Sequence, residues 1–482
     1  MPHVVTQSCI GDGSCVYSCP VNCIQPSPDD PGFEHADMLH IDPATCMDCG
    51  ACVAACPVDA IKWHLRLEPE EQEFAAINAR YHRAAPPRPI MAPVRPRLVV
   101  RDRGERLRVA IVGSGPAAMY AAEEVLTIPA AEVTVYERLL HPYGLVRSGV
   151  APDHRRTRRV SRQLDRIRAD HRLTMRLGVE VGRDVTHDEL VDRHHAVIYG
   201  VGAASDRPLK VPGAELEGVV SATQLVGWYN GHPDHADLAP DLSGSRALVI
   251  GNGNVALDVA RMLTIEPDVL EDTEISPAAL AVLRRSAITE VIVAARRGPE
   301  RSAFTLPELV GLTATPGVTV GVPSEDLDGV TAGGPKIEHL ARLGEPPVSG
   351  RRVTLRYHLT PERLTGTQRV EAVEFARGAA GGVERVTADL VVSAIGYRGK
   401  PVAGLPFDEG TGTIPNVEGR VVDPDTGAPV PGTYVVGWAK RGPSGFIGTN
   451  RRCSQDTVAT LVDDYNEGAL LSGSTVGALV GG

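Results

Sequence analysis

Cysteine is the residue type whose number and spacing point most directly to chemistry in this chain. Eight of the nine cysteines lie within residues 9–56, and the ninth is Cys453. Residues 46–57 read CMDCGACVAACP, a C-x2-C-x2-C-x3-C-P run of the kind that holds iron–sulfur clusters. A disulfide-bonded extracellular module is the alternative, but the chain starts without the basic and apolar stretches of an export signal.

An earlier copy of this run contains one departure from the pattern. Residues 9–20 read CIGDGSCVYSCP, in which Asp12 stands at the position of the second cysteine. In such runs the last cysteine crosses over to the other cluster. The expected ligands of one cluster are therefore Cys19, Cys46, Cys49 and Cys52, and those of the other are Cys9, Cys15 and Cys56, with Asp12 as the undecided fourth position.

Asp12 leaves three interpretations open. A carboxylate is a harder ligand than a thiolate and holds iron less firmly, which favours a 3Fe–4S cluster beside an intact 4Fe–4S cluster. The second interpretation is a 4Fe–4S cluster with Asp12 as its fourth ligand. The third is a solvated turn residue in Gly-Asp-Gly, which is compatible with the 3Fe–4S cluster.

On the strength of these two runs, residues 1–64 resemble a two-cluster bacterial ferredoxin of the seven-iron kind. The resemblance implies that Cys23, which follows C-P-x2, is not a ligand. The sequence assigns no other role to Cys23 and none to Cys453. Residues 1–62 are also acidic, with eight carboxylates against Lys62 alone. These charges are either a solvated surface or a means of orienting the domain on a basic partner.

The segments that follow contain two glycine-rich turns, and these turns point to a second kind of chemistry. In the first, the apolar run 107–112 leads into GSGPAA at residues 113–118, then a helical stretch and a second strand that ends at Glu137. The glycines permit a tight turn and close approach of a pyrophosphate to the helix N-terminus. An acid about 20 residues further on accepts hydrogen bonds from a ribose. The pattern predicts a dinucleotide site.

The strand that follows the second glycine turn ends in a different residue type. A strand at residues 247–250 leads into GNGNVA at 251–256, and the strand predicted at 290–295 ends in Arg296 and Arg297 instead of an acid. Guanidinium groups at this place suit the 2′-phosphate of NADP, and a solvated arginine pair is the alternative. The long spacing before Arg296 requires an insertion near residues 264–287. One site has an acid at the end of its second strand and the other has two arginines there. Together these sites suggest FAD and NADPH.

Residues 107 to about 465 resemble the adrenodoxin reductase family of NADPH–ferredoxin reductases. The strings that carry the resemblance are YGLVR at 143–147, GVAPDH at 149–154, GWYNG at 227–231, GNVALDVAR at 253–261, RRGP at 296–299, AFT at 303–305, AIGY at 394–397, PNVEGR at 415–420 and GWAKRGPSG at 437–445. They span nearly all of this part of the chain.

The resemblance implies contacts to both cofactors. Beside the turn glycines Gly113 and Gly115, the residues implied for FAD are Ala117, Glu137, Leu145, Val181, Trp438, Gly445, Phe446 and Ile447. The residues implied for NADP are Asn252, Gly253, Asn254, Val255, Arg296, Arg297, Glu308 and Gly445. His154 and Glu308 are the candidate polar groups that tune the rings, and a helix N-cap is the alternative role for His154.

The predicted fold class is an α+β ferredoxin domain followed by an α/β flavoprotein reductase with two dinucleotide-binding domains. The family implies that the NADP lobe is inserted between two pieces of the FAD lobe. The expected divisions are a ferredoxin domain at 1–64, a proline-rich linker at 65–105, an FAD-binding domain at 107–204 and 403–465, an NADP-binding domain at 205–402 and a flexible tail at 466–482.

Composition excludes several other classes. The 482 residues include 49 Lys and Arg against 60 Asp and Glu, a net charge of −11 that argues against nucleic-acid binding. The chain has no uninterrupted apolar run of about 18 residues, so no membrane span is expected. The expected location is the cytoplasm.

Together with the cysteine runs and the two glycine turns, the resemblance implies an FAD-dependent ferredoxin–NADP+ reductase. It would pass electrons from NADPH through FAD to iron–sulfur clusters and on to an external acceptor such as a ferredoxin, a cytochrome P-450 or another reductive enzyme. The alternative is an electron-relay subunit of a larger complex, of the glutamate synthase small-subunit type. An arginine run at 155–162 is either a solvated face or a docking surface for the fused ferredoxin domain. The sequence identifies neither the acceptor nor the oligomeric state.

Overall fold

The computed structural model of the chain describes residues 3–84, 91, 93–94, 98–101, 106–330, 333–345, 348–378 and 381–470. Residues 3–84 form an α+β unit, here called the N-terminal unit. Its elements are β1 (His3–Val5), α1 (Ser14–Ser18), β2 (Ile24–Gln25), β3 (His40–Ile41), α2 (Ala51–Ala55), β4 (Ile61–Trp63) and α3 (Gln72–Ala84). Strand β1 pairs with β4 and β2 pairs with β3, both in antiparallel fashion.

Helix α3 belongs to the N-terminal unit, which corrects the prediction of a linker from residue 65 onward. The fully buried Asn78 side chain accepts hydrogen bonds from the backbone N–H groups of Val5 (3.1 Å) and Ile41 (2.9 Å), so it ties both small sheets to the helix. Phe74 is buried on the same helix. The charged residues of α3 hide this inward face in the sequence. Most of the remaining predicted linker lies outside the described residues.

The rest of the chain, residues 106–470, is here called the two-lobed unit. Its first lobe begins with β5 (Leu107–Val112), α4 (Pro116–Val125), β6 (Ala131–Glu137), α5 (Leu145–Ser148), α6 (Arg155–Arg158), α7 (Val160–Arg168), β7 (Leu173–Leu177), α8 (His187–Arg193) and β8 (Ala196–Tyr199). The strands pair in parallel, and the central strands β5 and β8 are almost fully buried, as expected when helices cover both faces of a sheet. Strand β6 alternates buried and half-buried residues, and the edge strand β7 is largely exposed.

A short strand β9 (Ser205–Asp206) leads into the second lobe. This lobe contains β10 (Val219–Ser221), α9 (Ala222–Tyr229), β11 (Arg246–Ile250), α10 (Asn254–Thr264), α11 (Pro277–Leu283), β12 (Glu290–Ala294), α12 (Leu306–Thr313), β13 (Val318–Gly321), α13 (Pro335–Leu343), β14 (Arg351–Arg356), β15 (Leu359–Thr365), β16 (Ala372–Arg377), β17 (Val383–Thr387) and β18 (Leu390–Ser393). Its parallel sheet has the order β10-β18-β11-β12-β14-β13, and β15-β16-β17 form an antiparallel sheet beside it. The insertion predicted near residues 264–287 contains helix α11.

The chain then returns to the first lobe. The returning elements are β19 (Tyr397–Arg398), β20 (Asn416–Val417), β21 (Arg420–Val422), β22 (Pro429–Val435), α14 (Trp438–Arg441) and α15 (Thr449–Glu467). They complete a seven-stranded sheet of order β20-β21-β22-β8-β5-β6-β7. Strand β19 pairs with β9 where the chain leaves and re-enters the lobe. The predicted insertion of one lobe into the other is therefore confirmed.

Helix α15 continues to Glu467, so residues 466 and 467 are helical instead of part of a flexible tail. The Asn466 side chain also accepts a hydrogen bond from the backbone of Arg101 (2.8 Å). Residues 471–482 of the predicted tail lie outside the described part. Across the described residues, no helix combines the length and apolar character needed to cross a membrane.

The N-terminal unit packs directly on the two-lobed unit through apolar side chains. Leu306 and Val310 of α12 join the core of the N-terminal unit. In the opposite direction, Ile10 and Val58 join the core of the first lobe. Because each unit completes part of the other's core, their contact is a packed interface and not a loose tether.

Candidate functional site

Four of the predicted ligands form one group in the structure. Burial raises the pKa of the Cys9 thiol to about 12, and the charges of Cys56 and Asp12 add to this effect. Cys15 adjoins the same residues, and its pKa is raised for the same reasons. We call Cys9, Cys15, Cys56 and Asp12 the Cys9 group.

The other four predicted ligands form a second group. Burial raises the pKa of Cys52 to about 12, and Cys46, Cys19 and Cys49 contribute as charged neighbours. We call these four residues the Cys52 group. Cys23, which sequence reasoning left out, lies against this group with its Sγ 3.4 Å from the Sγ of Cys19. The hydrogen bond from Cys23 lowers the pKa of Cys19 to about 6.

The backbone around both groups suits iron–sulfur clusters. The N–H of Ala60 points at the Sγ of Cys56 (3.3 Å), and the N–H of Cys23 points at the Sγ of Cys19 (3.4 Å). Such donors stabilise the negative charge of coordinating sulfurs. Within the described residues all cysteines are free thiols, as ligation requires. The residues present therefore fit the clusters that the spacing predicts.

The two groups differ in their distance from the two-lobed unit. Ile10, next to Cys9, accepts a hydrogen bond from the N–H of Gly448 (2.8 Å). A Cβ atom on Gly448 would lie 2.3 Å from the backbone nitrogen of Asp12, so only glycine permits this approach. Cys49 of the Cys52 group is instead exposed, and its neighbour Met47 is 60% exposed. The Cys9 group thus lies at the interface and the Cys52 group reaches the surface.

The Asp12 carboxylate is held by protein groups. Both the backbone N–H and the hydroxyl of Ser14 donate to its carboxylate. Burial raises the pKa of Asp12, and the positive charge of Arg451 partly opposes this rise. A cavity of about 30 Å³ lies between these residues and Phe33.

The first glycine turn has the shape that a dinucleotide needs. Gly113 has a φ of +93°, and a Cβ there would lie 2.7 Å from the carbonyl oxygen of Gly200. Gly115 is the N-cap of α4, and a Cβ there would meet nothing within 4 Å. The first glycine therefore makes the turn, and the second leaves open space in front of the helix N-terminus, where a pyrophosphate binds favourably.

Glu137 lies at the end of β6 beside this turn. Its Oε2 accepts hydrogen bonds from the N–H (3.1 Å) and the hydroxyl (2.6 Å) of Ser114, and its Oε1 accepts one from the N–H of Leu139 (2.9 Å). The carboxylate is thereby fixed at the strand end, where a cofactor ribose is expected.

The returning segment closes on the same helix. A Cβ on Gly437, which has a φ of +69°, would lie 2.5 Å from the Cβ of Ala117. The indole N–H of Trp438 donates to the carbonyl of Ser444 (3.0 Å), and the N–H of Phe446 donates to the hydroxyl of Thr449 (3.0 Å). Gly437, next to Trp438, thus lies against Ala117, and the two hydrogen bonds fix Trp438 and the 445–447 turn. Of the other residues implied for FAD, Leu145 begins α5, and Val181 forms an isolated bridge with Val185.

The second glycine turn repeats the geometry of the first. Gly251 has a φ of +120°, and a Cβ there would lie 2.2 Å from the carbonyl oxygen of Ala394. Gly253 is the N-cap of α10 and faces open space. Asn254 accepts a hydrogen bond from the N–H of Thr305 (2.8 Å). Val255 follows in the first turn of α10, and Asn252 bonds Phe304 through its carbonyl (2.9 Å).

Arg296 and Arg297 follow strand β12 after Ala295, and both side chains are exposed. They stand at the carboxyl end of a strand next to the second glycine turn, since β12 pairs with β11. Ligands of open α/β sheets bind at this edge. The arrangement leaves two guanidinium groups available to a phosphate.

His154 lies in a half-buried polar cluster with Glu308. Its Nε2 is 3.3 Å from Asp258 and 3.7 Å from Glu308. Burial alone would lower the pKa of His154, but Glu308 and Asp258 outweigh it and raise the pKa to about 9. Burial raises the pKa of Glu308, opposed by His154.

Arg261 completes this cluster from the helix of the second glycine turn. It donates to Asp258 (2.6 Å) and to Asp153 (2.6 Å). Burial alone would raise the pKa of Asp153, but Arg261 and His154 lower it to about 2. Sequence reasoning missed Asp153, Asp258 and Arg261, although all three lie within the strings that carried the resemblance. An aspartate and an arginine three residues apart on an otherwise apolar helix were the available signal.

The arginine run of α6 and α7 is divided between two roles. Arg156 pairs with Glu71 (2.6 Å), and Arg159 pairs with Asp59, so these two contact the N-terminal unit. Arg158 points inward and binds Glu274 (2.6 Å) within the two-lobed unit. The docking surface predicted for the run therefore holds for part of it only.

Comparison with known proteins gives the same division of the chain. Residues 8–60 match a family described as "4Fe-4S dicluster domain", and residues 107–276 match one described as "Pyridine nucleotide-disulphide oxidoreductase". A dicluster domain fused to a two-dinucleotide fold defines the class of an iron–sulfur flavoprotein oxidoreductase.

Individual relatives narrow this class. A "Probable ferredoxin/ferredoxin--NADP reductase" of Mycobacterium leprae is 53% identical over 98% of this chain and 87% of its own. The "NADPH:adrenodoxin oxidoreductase, mitochondrial" of Homo sapiens is 40% identical over 77% of this chain and 81% of its own. The solved structure "Mycobacterium tuberculosis FprA in complex with NADPH" is similar with a TM-score of 0.72 and 42% identity, covering 76% of this chain and 87% of that one. The chain belongs to the family of ferredoxin/ferredoxin–NADP reductases.

Proposed function

We propose that this chain is an NADPH:ferredoxin oxidoreductase that carries its own ferredoxin domain. With FAD and the clusters bound, the chain would accept electrons from NADPH and deliver them to an external acceptor through its iron–sulfur domain. The observation that carries the proposal is the contact between Gly448 and Ile10. Gly448 follows the 445–447 turn that the family resemblance assigns to cofactor binding, and Ile10 adjoins Cys9. The cysteine-rich unit is thus docked next to the cofactor motifs within one chain.

The first lobe supplies the proposed FAD site. Its open space at Gly115, the fixed carboxylate of Glu137 and the closing Trp438 segment suit a cofactor that stays bound. FAD supplies the exchange between two-electron and one-electron chemistry. The task of the chain is to bind the cofactor and to keep water and other reactants away from it.

The second lobe supplies the proposed NADPH site. The N-terminus of α10 at Gly253 binds the pyrophosphate, and Arg296 and Arg297 bind the 2′-phosphate. Glu308 and His154 form the polar wall of the coenzyme site. With its pKa at about 9, His154 carries a proton at neutral pH and pairs with Glu308.

The packing described above supports the following domain limits. We propose an iron–sulfur domain that extends through α3 to residue 84, an FAD domain at 107–204 and 403–465 and an NADP domain at 205–402. A cytoplasmic location suits thiol ligands, which a reducing compartment keeps free.

A functional test uses the purified holoprotein with NADPH and cytochrome c or a dye as acceptor. The expected result is acceptor reduction that depends on NADPH and bleaches the flavin. A chain that takes no electrons from NADPH by itself would instead support the relay-subunit alternative. Addition of candidate ferredoxins and cytochromes P-450 then identifies the external acceptor by the increase in rate.

The Cys9 group is proposed to hold a 3Fe–4S cluster in air-exposed protein, and the Cys52 group a 4Fe–4S cluster. Asp12 supplies a hard oxygen in place of a thiolate and is engaged by Ser14, so the fourth iron is weakly held. The oxidised protein should show the electron paramagnetic resonance signal of a three-iron centre, and Asp12→Cys should abolish it. Two stable 4Fe–4S clusters in the air-exposed wild type would contradict this assignment.

A further inference from the structure

One residue of the N-terminal unit reaches the half-buried polar cluster around His154 and Glu308 in the two-lobed unit. Gln7 lies in the loop between β1 and Cys9, and its Nε2 donates to the Oε2 of Glu308 at 3.3 Å. Glu308 is the carboxylate that faces His154 (3.7 Å). The iron–sulfur domain therefore touches a group of the proposed coenzyme site through a side chain that is not a cluster ligand.

Gly311 makes this contact sterically feasible. It lies on α12 three residues after Glu308, and so on the same face of the helix. A Cβ atom on Gly311 would lie 2.0 Å from the Nε2 of Gln7 and 2.4 Å from its Cδ. The amide of Gln7 thus occupies the space that any side chain at position 311 would fill.

The whole of α12 is held by the N-terminal unit. The N–H of Leu306, in the first turn of the helix, donates to a carboxylate oxygen of Asp37 (3.0 Å). Leu306 and Val310 are buried in the core of the N-terminal unit, on either side of Glu308 in sequence. The position of Glu308 therefore depends on docking through the backbone of its helix and directly through Gln7.

The other groups that face Glu308 belong to the two-lobed unit. His154 and Arg261 provide positive charge, and Asp258 provides negative charge. Among these neighbours Gln7 is the one contributed by the iron–sulfur domain. A neutral amide donor stabilises a half-buried carboxylate and fixes its orientation without adding charge to the polar cluster around His154.

We propose that Gln7 is a positioning residue, through which the docked iron–sulfur domain fixes Glu308 for binding of the pyridine nucleotide. Nucleotide binding and domain docking are then linked, and each strengthens the other. This inference rests on the proposed function, because it assigns Glu308 to the NADPH site. It adds that the site is complete only when the iron–sulfur domain is docked.

The test measures NADP+ binding to the full-length holoprotein by the perturbation of the flavin spectrum. Gln7→Ala is expected to raise the Kd of NADP+ by about 5- to 10-fold, within the usual range of coupling between two sites. Gly311→Ala is expected to have a similar effect, because the new methyl group displaces the Gln7 amide. In the Gln7→Ala background, Gly311→Ala should add little, because the amide is already gone.

Arg80→Ala is the matched control. Arg80 forms an exposed ion pair with Glu338, so it joins the same two units without touching Glu308. This variant should leave the Kd of NADP+ unchanged, and FAD and iron contents should stay at the wild-type level in every variant. Equal losses in Arg80→Ala and Gln7→Ala would show a general effect of docking and overturn the role of Gln7.

Two further outcomes are separable. An unchanged Kd in Gln7→Ala, or additive effects of the two substitutions, would overturn the inference while NADPH oxidation by the wild type upholds the proposed function. A wild-type protein that binds no NADP+ and oxidises no NADPH would overturn the proposed function as well.

Discussion

The two glycine turns have nearly the same backbone and very different surroundings. In each, the first glycine has a positive φ and packs against a backbone carbonyl. Gly113 packs against the carbonyl of Gly200, and Gly251 packs against that of Ala394. In each, the second glycine, Gly115 or Gly253, opens toward free space at a helix N-terminus. The shared geometry reflects a shared task, which is to bring backbone N–H groups close to a pyrophosphate.

The differences lie at the strand ends and on the helices. Glu137 is 7% exposed and accepts hydrogen bonds from Ser114 and Leu139, whereas Arg296 and Arg297 are exposed. Helix α4 buries mostly small apolar residues, whereas α10 places the buried Arg261 in the polar cluster. The first site is closed and its acid is fixed in advance, which suits a cofactor that stays bound. The second site is open and has charged side chains, which suits a coenzyme that binds and leaves.

The largest expected effect comes from filling the open space at each second glycine. Gly115→Val should give a folded protein without FAD, because a side chain there meets no protein atom but takes the place of the pyrophosphate. Gly253→Val should keep FAD and lose NADP+ binding. Flavin absorbance and NADP+ titration measure the two outcomes.

Gly113→Ala is the contrasting control for that pair. Its Cβ would press on the Gly200 carbonyl and its φ is left-handed, so the folded state itself is strained. It should lower the melting temperature of the FAD-free protein as well, whereas Gly115→Val should lower the melting temperature only through the loss of bound FAD. Loss of FAD in Gly253→Val, or its retention in Gly115→Val, would refute the assignment of the turns.

Substitution of the arginine pair tests whether the strand end beside the second glycine turn binds the 2′-phosphate of NADPH. Arg296→Ala with Arg297→Ala should raise the KM for NADPH by about 10- to 150-fold, which corresponds to loss of a charge-assisted contact. The KM for NADH should change little, because NADH lacks the 2′-phosphate. Steady-state kinetics with both coenzymes provide the measurement. An equal loss for NADH would mean that the arginines support the fold.

The polar cluster of His154, Asp258, Glu308 and Arg261 makes the free energy of unfolding depend on pH. Since the pKa of His154 rises from 6.5 to about 9 on folding, its contribution is complete below about pH 6.5 and disappears as pH rises toward 9. The difference in unfolding free energy between wild type and His154→Gln should therefore shrink by up to about 3 kcal/mol over this range. Urea titrations at several pH values measure it.

His171→Gln provides the control for this prediction. His171 is an exposed histidine beside Asp170, outside the cluster. Its substitution should change the unfolding free energy little at any pH in the same range. A pH-independent difference for His154→Gln would show that the cluster does not hold the charge on His154.

Sequence patterns predicted the parts of the molecule that depend on local spacing. The cysteine runs, the glycine turns and the arginine pair are each contained in a short segment, so their geometry follows from the segment itself. The inserted lobe was predicted from the order of the family strings. Helix α3 was assigned to a linker because its buried Asn78 looks like any surface polar residue in sequence.

Contacts between distant segments could not be predicted in the same way. Gln7 and Glu308 are 301 positions apart, and the pattern of neither segment indicates the other. Arg158 and Arg159 are adjacent in sequence, yet one points into the two-lobed unit and the other toward Asp59. Which neighbour points inward depends on how α6 and α7 pack, and this is decided by the tertiary structure.

The smallest expected effect concerns the carboxylate of the first turn, and it sharpens the contrast with the arginines. Glu137→Gln keeps the size of the side chain but loses its charge, so one of the oxygens that face Ser114 and Leu139 becomes an amide donor. The Kd of FAD should rise by about 10-fold, the scale of one charge-assisted hydrogen bond, while the KM for NADPH stays unchanged. Glu132→Gln on the same strand, whose carboxylate makes an exposed pair with Arg106, should affect neither constant. A change in the KM for NADPH without a change in FAD affinity would show that Glu137 acts on the proposed NADPH site of the second lobe. Because Glu137 is fixed by Ser114 and Leu139 before any ligand arrives, its effect should appear in the dissociation rate of FAD more than in its association rate.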